Sequence, residues 1–125
     1  MAATERRLFP RVRDEGLSLK LKTDDFDTVT HTLDVSASGL YCKIDKEIPI
    51  MSRVRVKLMV PDLFKADGAV RELDVDGVIV REHPVIIDGV IRHYDAAIFF
   101  DNLSSKDREI IKIYVSSKKR GEEAC

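Results

Sequence analysis

The sequence is most regular at residues 53–61, RVRVKLMVP, where charged and apolar side chains alternate. Successive side chains of a β-strand point to opposite faces, so this alternation predicts a strand with one packed face and one solvated face. Pro61 would end the strand, because proline cannot donate a ladder hydrogen bond. The outward residues Arg53, Arg55 and Lys57 form a basic stripe. The stripe could be a solvated surface or an edge that binds phosphate.

The same alternation recurs on both sides of this strand, and turn-forming residues separate the repeats. Further strands are predicted at residues 17–22, 29–35, 40–44, 73–80 and 94–100. In the second of these, the alternation assigns Val29, His31, Leu33 and Val35 to the inner face. In the fourth, the inner face is continuous only if a β-bulge at Gly77 absorbs one residue. Asp88-Gly89 favours a type I′ hairpin turn between two apolar arms.

The C-terminal segment carries the helical pattern of the chain. Ser104 and Asp107 resemble a capping box, and the apolar residues that follow have helical spacing. The helix is expected to end near Lys119, because Gly121 suits the position just past a helix end. Since the last strand places Phe99 on its outer face, we expect the helix to cover this ring. An all-β fold follows, a small closed or nearly closed barrel of about six antiparallel strands with one C-terminal helix.

Length and charge describe one small domain. At 125 residues the chain can bury one core but is too short for two domains. Its 21 basic and 22 acidic residues nearly cancel, which argues against a protein that coats nucleic acid by overall charge. The outer faces also lack the interleaved aromatic residues of a single-strand binder, so no nucleic-acid partner is expected. No apolar run reaches the roughly 18 residues of a membrane span, and we expect a soluble, cytoplasmic protein without membrane insertion.

Residues that could carry catalysis or a metal are scattered along the sequence. Cys42 and Cys125 form neither a disulfide framework nor a metal-binding motif, and Cys42 is expected to be a small buried hydrophobe. His31, His83 and His93 fall on separate segments without ligand spacing, and His31 is expected in the core or at its rim. No serine or cysteine nucleophile has an evident base. We therefore expect no enzyme activity, no metal and no cofactor.

The N-terminal residues concentrate positive charge. Residues 1–13 contain four arginines and one glutamate. Pro10 disfavours a helix through this stretch, so Arg7 and Arg11 belong to an extended arm. Arginine offers a planar fork of donors that grips phosphate oxygens in pairs. The arm is either one half of an anion site or a solvated basic terminus.

A second polar cluster, Asp34-Val35-Ser36-Ala37-Ser38-Gly39, ends a predicted strand. If Val35 faces the core, Asp34 and Ser36 project together on the outside, before a turn that Gly39 could close with a positive φ angle. A carboxylate there could accept hydrogen bonds from the paired N–H donors of a guanine edge. Alternatively, both side chains only satisfy their own backbone in an Asx or Ser turn.

Together the two clusters resemble the motifs of the PilZ domain, the bacterial receptor module for cyclic di-GMP. Arg7-Leu8-Phe9-Pro10-Arg11 matches its RxxxR motif, and residues 34–39 match its DxSxxG motif. The resemblance implies a six-stranded antiparallel barrel of PilZ type. Residues 1–16 would form a mobile N-terminal arm, and residues 17–125 would form the barrel and the C-terminal helix as a single domain.

The resemblance also assigns roles to individual residues. Arg7 and Arg11 would contact the phosphates and guanine bases of cyclic di-GMP. Asp34 and Ser36 would hydrogen-bond a guanine edge, and Gly39 would allow the close turn. Arg6 occupies a position where arginine, in this family, accompanies binding of a stacked, intercalated pair of cyclic di-GMP molecules.

The function implied is that of a stand-alone adaptor. Its arm would order when cyclic di-GMP binds and would change the surface offered to a downstream protein partner, in motility, surface attachment, exopolysaccharide production or pilus function. The alternative is a PilZ-like protein-interaction module that no longer binds nucleotide. The terminal helix could cap the barrel or pair with a second copy in a homodimer.

Overall fold

The computed structural model describes residues 12–13, 16–25, 27–61 and 69–124, which form seven β-strands and one α-helix. The elements are β1 (Val12–Arg13), β2 (Ser18–Lys22), β3 (Asp27–Ser36), β4 (Gly39–Ile44), β5 (Arg53–Pro61), β6 (Val70–Ile87), β7 (Val90–Asn102) and α1 (Ser105–Ala124). All strand pairs are antiparallel. The predicted all-β class with one C-terminal helix is confirmed.

Six of the strands close into a barrel. The order around it is β3, β2, β5, β6, β7 and β4, and pairing of β3 with β4 closes the ring. The short strand β1 extends the sheet by pairing with β3. In this order β2 and β5 lie on the opposite side of the barrel from β4 and β7. The two sides therefore present separate outer surfaces.

Aliphatic side chains fill the barrel interior. Alternate residues of β5 are buried, as the RVRVKLMVP pattern predicts. Helix α1 adds Ile111, Tyr114 and Val115 to the same buried cluster and packs against β1, β3 and β5. Phe99, on the outer face of β7, is 52% exposed, so the prediction that the helix covers it is wrong. The apolar stripe of the helix packs into the barrel core instead.

The hairpin between β6 and β7 has the predicted turn. Asp88 and Gly89 have φ angles of 54° and 78°, and a type I′ turn requires positive φ at both central positions. The predicted bulge at Gly77 is wrong. The pairing of β6 with β7 shifts register between Asp76 and Gly77, but the extra residue, Asp101, lies on β7. In β6 the burial alternates without interruption through Gly77 to Ile79, so Val78 and Val80 are not on the inner face. A second shift, between Ile79 and Arg81, is not predicted from the sequence and affects the candidate site described below.

The predicted inner face of β3 is wrong in the first half of the strand. Val29 is 66% exposed, and His31 is exposed rather than in the core or at its rim. Thr32 is fully buried in their place, whereas Val35 is buried as expected. The pairing of β3 with β4 shifts register between Thr32 and Asp34. An extra residue at that point exchanges the two faces of the strand.

Helix α1 begins as predicted and ends later than predicted. The backbone N–H of Asp107 donates to Ser104 Oγ at 3.1 Å, which is the N-cap bond that the sequence suggests. The helix continues through Gly121 to Ala124, so the predicted end near Lys119 is wrong. A glycine inside a helix costs only about 1 kcal/mol, and the helix formers that follow offset part of this cost. No helix in the described part of the chain is long and apolar enough to cross a membrane.

Candidate functional site

The turn between β3 and β4 is held by its own side chains. Ser38 donates its backbone N–H to Ser36 Oγ at 3.2 Å, and the two serine hydroxyls are 3.0 Å apart. The Ser36 hydroxyl also donates to the carbonyl oxygen of Gly39 at 3.4 Å. Ser36 is fully buried, so the expectation that it projects outward is wrong in this structure, and the Ser-turn alternative describes its contacts. Asp34 is half-buried at the start of the motif.

Two distant elements fix the same turn from outside. The backbone N–H of Phe100 in β7 donates to the carbonyl oxygen of Ser38 at 2.9 Å. The Arg108 guanidinium in α1 donates to the carbonyl oxygen of Ala37 at 3.0 Å. Consecutive carbonyls of the turn are therefore tied to the last strand and to the helix, which makes the turn a rigid platform.

Arg108 is a residue of this site that the sequence analysis does not identify. One signal does exist in the sequence, because a cation in the first turn of a helix is unfavourable beside the positive end of the helix dipole. Lys106 lies in the same first turn, so this signal does not single out Arg108, whose partner in the structure is the β3–β4 turn.

Gly39 is required by a close backbone contact. An added Cβ would lie 2.2 Å from the carbonyl oxygen of Ile98, and the next nearest atoms also belong to the β7 backbone. The φ angle of Gly39 is not positive, so the expected left-handed turn is wrong. Glycine lets β4 approach β7 closely at the point where Gly39 pairs with Phe99.

The predicted arginines Arg6, Arg7 and Arg11 lie outside the described residues. The two residues that follow Arg11 are described and form β1. Within β1, Val12 pairs with Val35 and Arg13 pairs with Asp34. The segment that follows RxxxR is thus hydrogen-bonded alongside the first half of DxSxxG.

A surface recess of about 340 Å³ lies beside the turn. Its walls come from β4, β6 and β7: Ser38, Gly39, Leu40, Tyr41, Val80, Arg81, Ala97, Ile98 and Phe99. Because of the bulge after Ile79, the consecutive residues Val80 and Arg81 are both exposed. In a regular strand, one of the two would face the core. The exposed ring of Phe99 lies in the same recess. A recess that contains both an aromatic ring and a guanidinium is suited to a flat, anionic ligand.

Behind the turn, β4 directs Cys42 into the barrel interior. Burial, with a smaller contribution from the negative charge of Asp95, raises the pKa of this thiol to about 12. The thiol is therefore protonated at neutral pH and acts as a buried apolar group. Among the described residues, no three His, Cys, Asp or Glu side chains converge on a position that could hold a metal ion.

Comparison with known proteins identifies the family. The sequence matches the PilZ domain model over residues 5–117, and the chain belongs to the PilZ domain family. This range includes both motifs, all seven strands and most of the helix. No curated protein sequence matches the chain significantly.

Solved structures with the same fold have low sequence identity to the chain. The Bacillus subtilis inhibitor of motility (MotI/DgrA) is 13% identical with a TM-score of 0.79, over 93% of this chain and 52% of that one. Escherichia coli YcgR in complex with c-di-GMP is 14% identical with a TM-score of 0.70, over 95% and 48%. The PilZ domain of YcgR with c-di-GMP is 16% identical with a TM-score of 0.62, over 95% and 96%. The chain spans about half the length of the first two proteins.

Proposed function

We propose that this protein is a receptor for cyclic di-GMP. The observation that carries the proposal is the pairing of β1 with β3, in which Val12, the residue after RxxxR, lies opposite Val35 of DxSxxG. This pairing brings the backbone that directly follows RxxxR alongside the strand that carries Asp34. Phosphate clamps beside an acceptor for N–H groups suit a ligand that has both phosphates and guanine edges. Membership in the PilZ family supports the same ligand.

In the proposed complex, Arg7 and Arg11 bind phosphates and guanine, and Asp34 accepts from the Watson–Crick edge of a guanine. Ser36 supports the turn and can reach a guanine only by exchanging one of its present partners in the turn. The recess beside the turn extends the site. Phe99 offers a ring on which a guanine can stack, and Arg81 lines the same recess and could bind a phosphate or a second base.

Arginine variants test the site assignment. Charge-assisted hydrogen bonds are each worth about 1.5–3 kcal/mol, so Arg7→Ala or Arg11→Ala should lower the affinity for cyclic di-GMP at least about tenfold. Arg92→Ala is a matched control, since Arg92 is an exposed arginine on the β6–β7 hairpin, outside the recess. Isothermal titration calorimetry measures all three. Unchanged affinity in both arm variants would remove the arginines from the site.

The proposal includes a conformational role for the N-terminal arm. When the nucleotide binds, residues 1–16 order over it and change the surface offered to a protein partner, so the chain acts as an adaptor. Trypsin cleavage within the arm should slow when cyclic di-GMP is added and should be unaffected by GTP. Equal cleavage with and without cyclic di-GMP would contradict the ordering. The stoichiometry measured by calorimetry tests the role proposed for Arg6. An arginine at this position predicts two cyclic di-GMP molecules per site rather than one.

A second candidate function rests on the β6–β7 hairpin. Ile86, Ile87, Val90 and Ile91 are 50–59% exposed near its tip, beyond the last pairs with β4 and β5. Exposed apolar side chains in one cluster are typical of a protein-interaction surface. A PilZ-like interaction module that does not bind nucleotide would use this tip. It predicts no heat with cyclic di-GMP and partner binding that Ile86→Asp abolishes.

A further inference from the structure

A cluster of four cations lies on the outer face of β2 and β5. In the register of these strands, Lys20 is directly opposite Lys57, and Lys22 is directly opposite Arg55. The alternate residues of both strands face the core, so all four side chains are on the outside. We call this group the basic square.

The repulsion among the four cations of the basic square opposes folding. Like charges directly opposite each other on neighbouring strands are destabilising. Two of the cations are partly compensated from β6, where Asp76 lies 3.4 Å from Arg55 and Glu72 lies 3.8 Å from Lys57. Among the described residues, Lys20 and Lys22 form no ion pair, although Asp27 pairs with Lys22 across β2 and β3.

The surface at the basic square is concave. A recess of about 620 Å³ is lined by Lys20, Leu21, Lys22, Asp27, Thr28, Val29, Arg55 and Lys57. Val29 is 66% exposed and pairs directly with Lys20, so an aliphatic side chain lies at the edge of the cations. This exposure follows from the bulge after Thr32, which turns Val29 outward. A ligand here would meet positive charge and one apolar contact.

We propose that the basic square and Val29 bind an extended acidic segment of a partner protein. Carboxylates of the segment would neutralise Lys20 and Lys22, and an aliphatic residue of the segment would pack on Val29. The basic square lies on β2 and β5, opposite β4 and β7 in the order of the barrel, and its recess shares no lining residue with the recess beside the β3–β4 turn. The inference therefore goes beyond the nucleotide site and does not depend on it.

Charge and composition favour a protein segment over a nucleic acid. Glu72, Asp74, Asp76 and Asp27 flank the cations on both sides and would repel a continuous polyanion that extends past them. None of the described residues that line the recess is aromatic, whereas single-stranded nucleic acids are bound by stacking. A short segment with carboxylates in its middle matches this pattern of charge.

Charge reversal at Lys20 separates a binding role from a structural one. Lys20→Glu would face Lys57 across the strands, so it replaces a repulsive pair by an attractive one and should not lower the thermal midpoint of unfolding. The same change should weaken binding of an acidic segment at least about tenfold at low salt. Lys112→Glu, on an exposed part of α1, changes the net charge equally and is the control.

The probe is a fluorescein-labelled peptide of about eight residues, glutamate with valine at every third position, measured by fluorescence anisotropy. We expect the peptide to bind the wild type and Lys112→Glu, and this binding should weaken as salt is added. Binding should be lost in Lys20→Glu, and also when glutamine replaces glutamate in the peptide. No binding to the wild type at about 1 mM peptide, or equal weakening in both variants, would overturn the proposal. Tighter Lys20-dependent binding of an oligothymidylate of similar charge would overturn it in favour of a nucleic acid.

Discussion

Replacing Gly39 by alanine would force a methyl group into the backbone of the last strand. The new Cβ would lie 2.2 Å from Ile98 O, 3.2 Å from Ile98 C and 3.3 Å from Phe99 Cα. All three atoms are backbone, so no side-chain rotation relieves the contact and β4 must separate from β7. Overpacking of this kind costs about 1–3 kcal/mol, and the lower entropy of the unfolded alanine chain returns about 0.4–1 kcal/mol.

The expected net loss is about 1.3 kcal/mol in the free energy of unfolding, or a midpoint roughly 5 °C lower for a domain of this size. Urea unfolding followed by circular dichroism measures it. Gly89 is the matched control, because a Cβ there meets no atom within 4 Å and the position is strained only by its φ of +78°. Asparagine tolerates left-handed backbone, so Gly89→Asn should be milder than Gly89→Ala. If Gly39→Asn were also milder than Gly39→Ala, the contact argument would be refuted.

Two further predictions concern the platform and the barrel core. Arg108→Ala removes the guanidinium that donates to the Ala37 carbonyl, so it should lower the free energy of unfolding by about 1–2 kcal/mol. It should also weaken cyclic di-GMP binding, although Arg108 is not assigned to the nucleotide. Unchanged affinity in a calorimetric titration would show that the helix contact does not support the site. Folding raises the pKa of Cys42 from 9.0 to about 12, so between these pH values only the unfolded chain ionises this thiol. The free energy of unfolding should therefore fall above pH 9, by up to about 1.4 kcal/mol per pH unit. Cys42→Ala lacks the thiol and should not show this additional fall. Urea unfolding measures this free energy for both proteins from pH 8 to about pH 11. The same pH dependence in the two proteins would contradict the burial of the Cys42 thiol.

Local patterns in the sequence predict most of the fold. The RVRVKLMVP stretch gives β5 with its correct inner face, and Asp88-Gly89 gives the type I′ turn of the β6–β7 hairpin. Both signals lie within a few residues of the feature they specify. The wrong inner face of β3 has a different origin, because the register shift after Thr32 depends on how β4 pairs with it. An alternating pattern cannot report a bulge that a partner strand imposes.

Part of the candidate site is likewise visible in local sequence patterns, and part depends on contacts with distant elements. The DxSxxG motif is visible in the sequence, and its position at the β3–β4 turn follows from strand patterning. The reason for Gly39 is not visible, because the atom that excludes a Cβ belongs to Ile98 on another strand. Arg108 and Phe99 also reach the site from later elements, through the helix contact and the shape of the recess. Sequence motifs thus point to the candidate site, and tertiary packing determines what supports its β3–β4 turn.

A titration of the wild-type chain with cyclic di-GMP, with GTP as the control, tests the central claim most directly. The account predicts saturable binding with a dissociation constant below about 1 µM, because several charge-assisted hydrogen bonds to two phosphates and a base exceed the cost of ordering the arm. GTP should give no comparable heat. Absence of binding at about 100 µM cyclic di-GMP, by a chain whose circular dichroism shows the folded barrel, would contradict it.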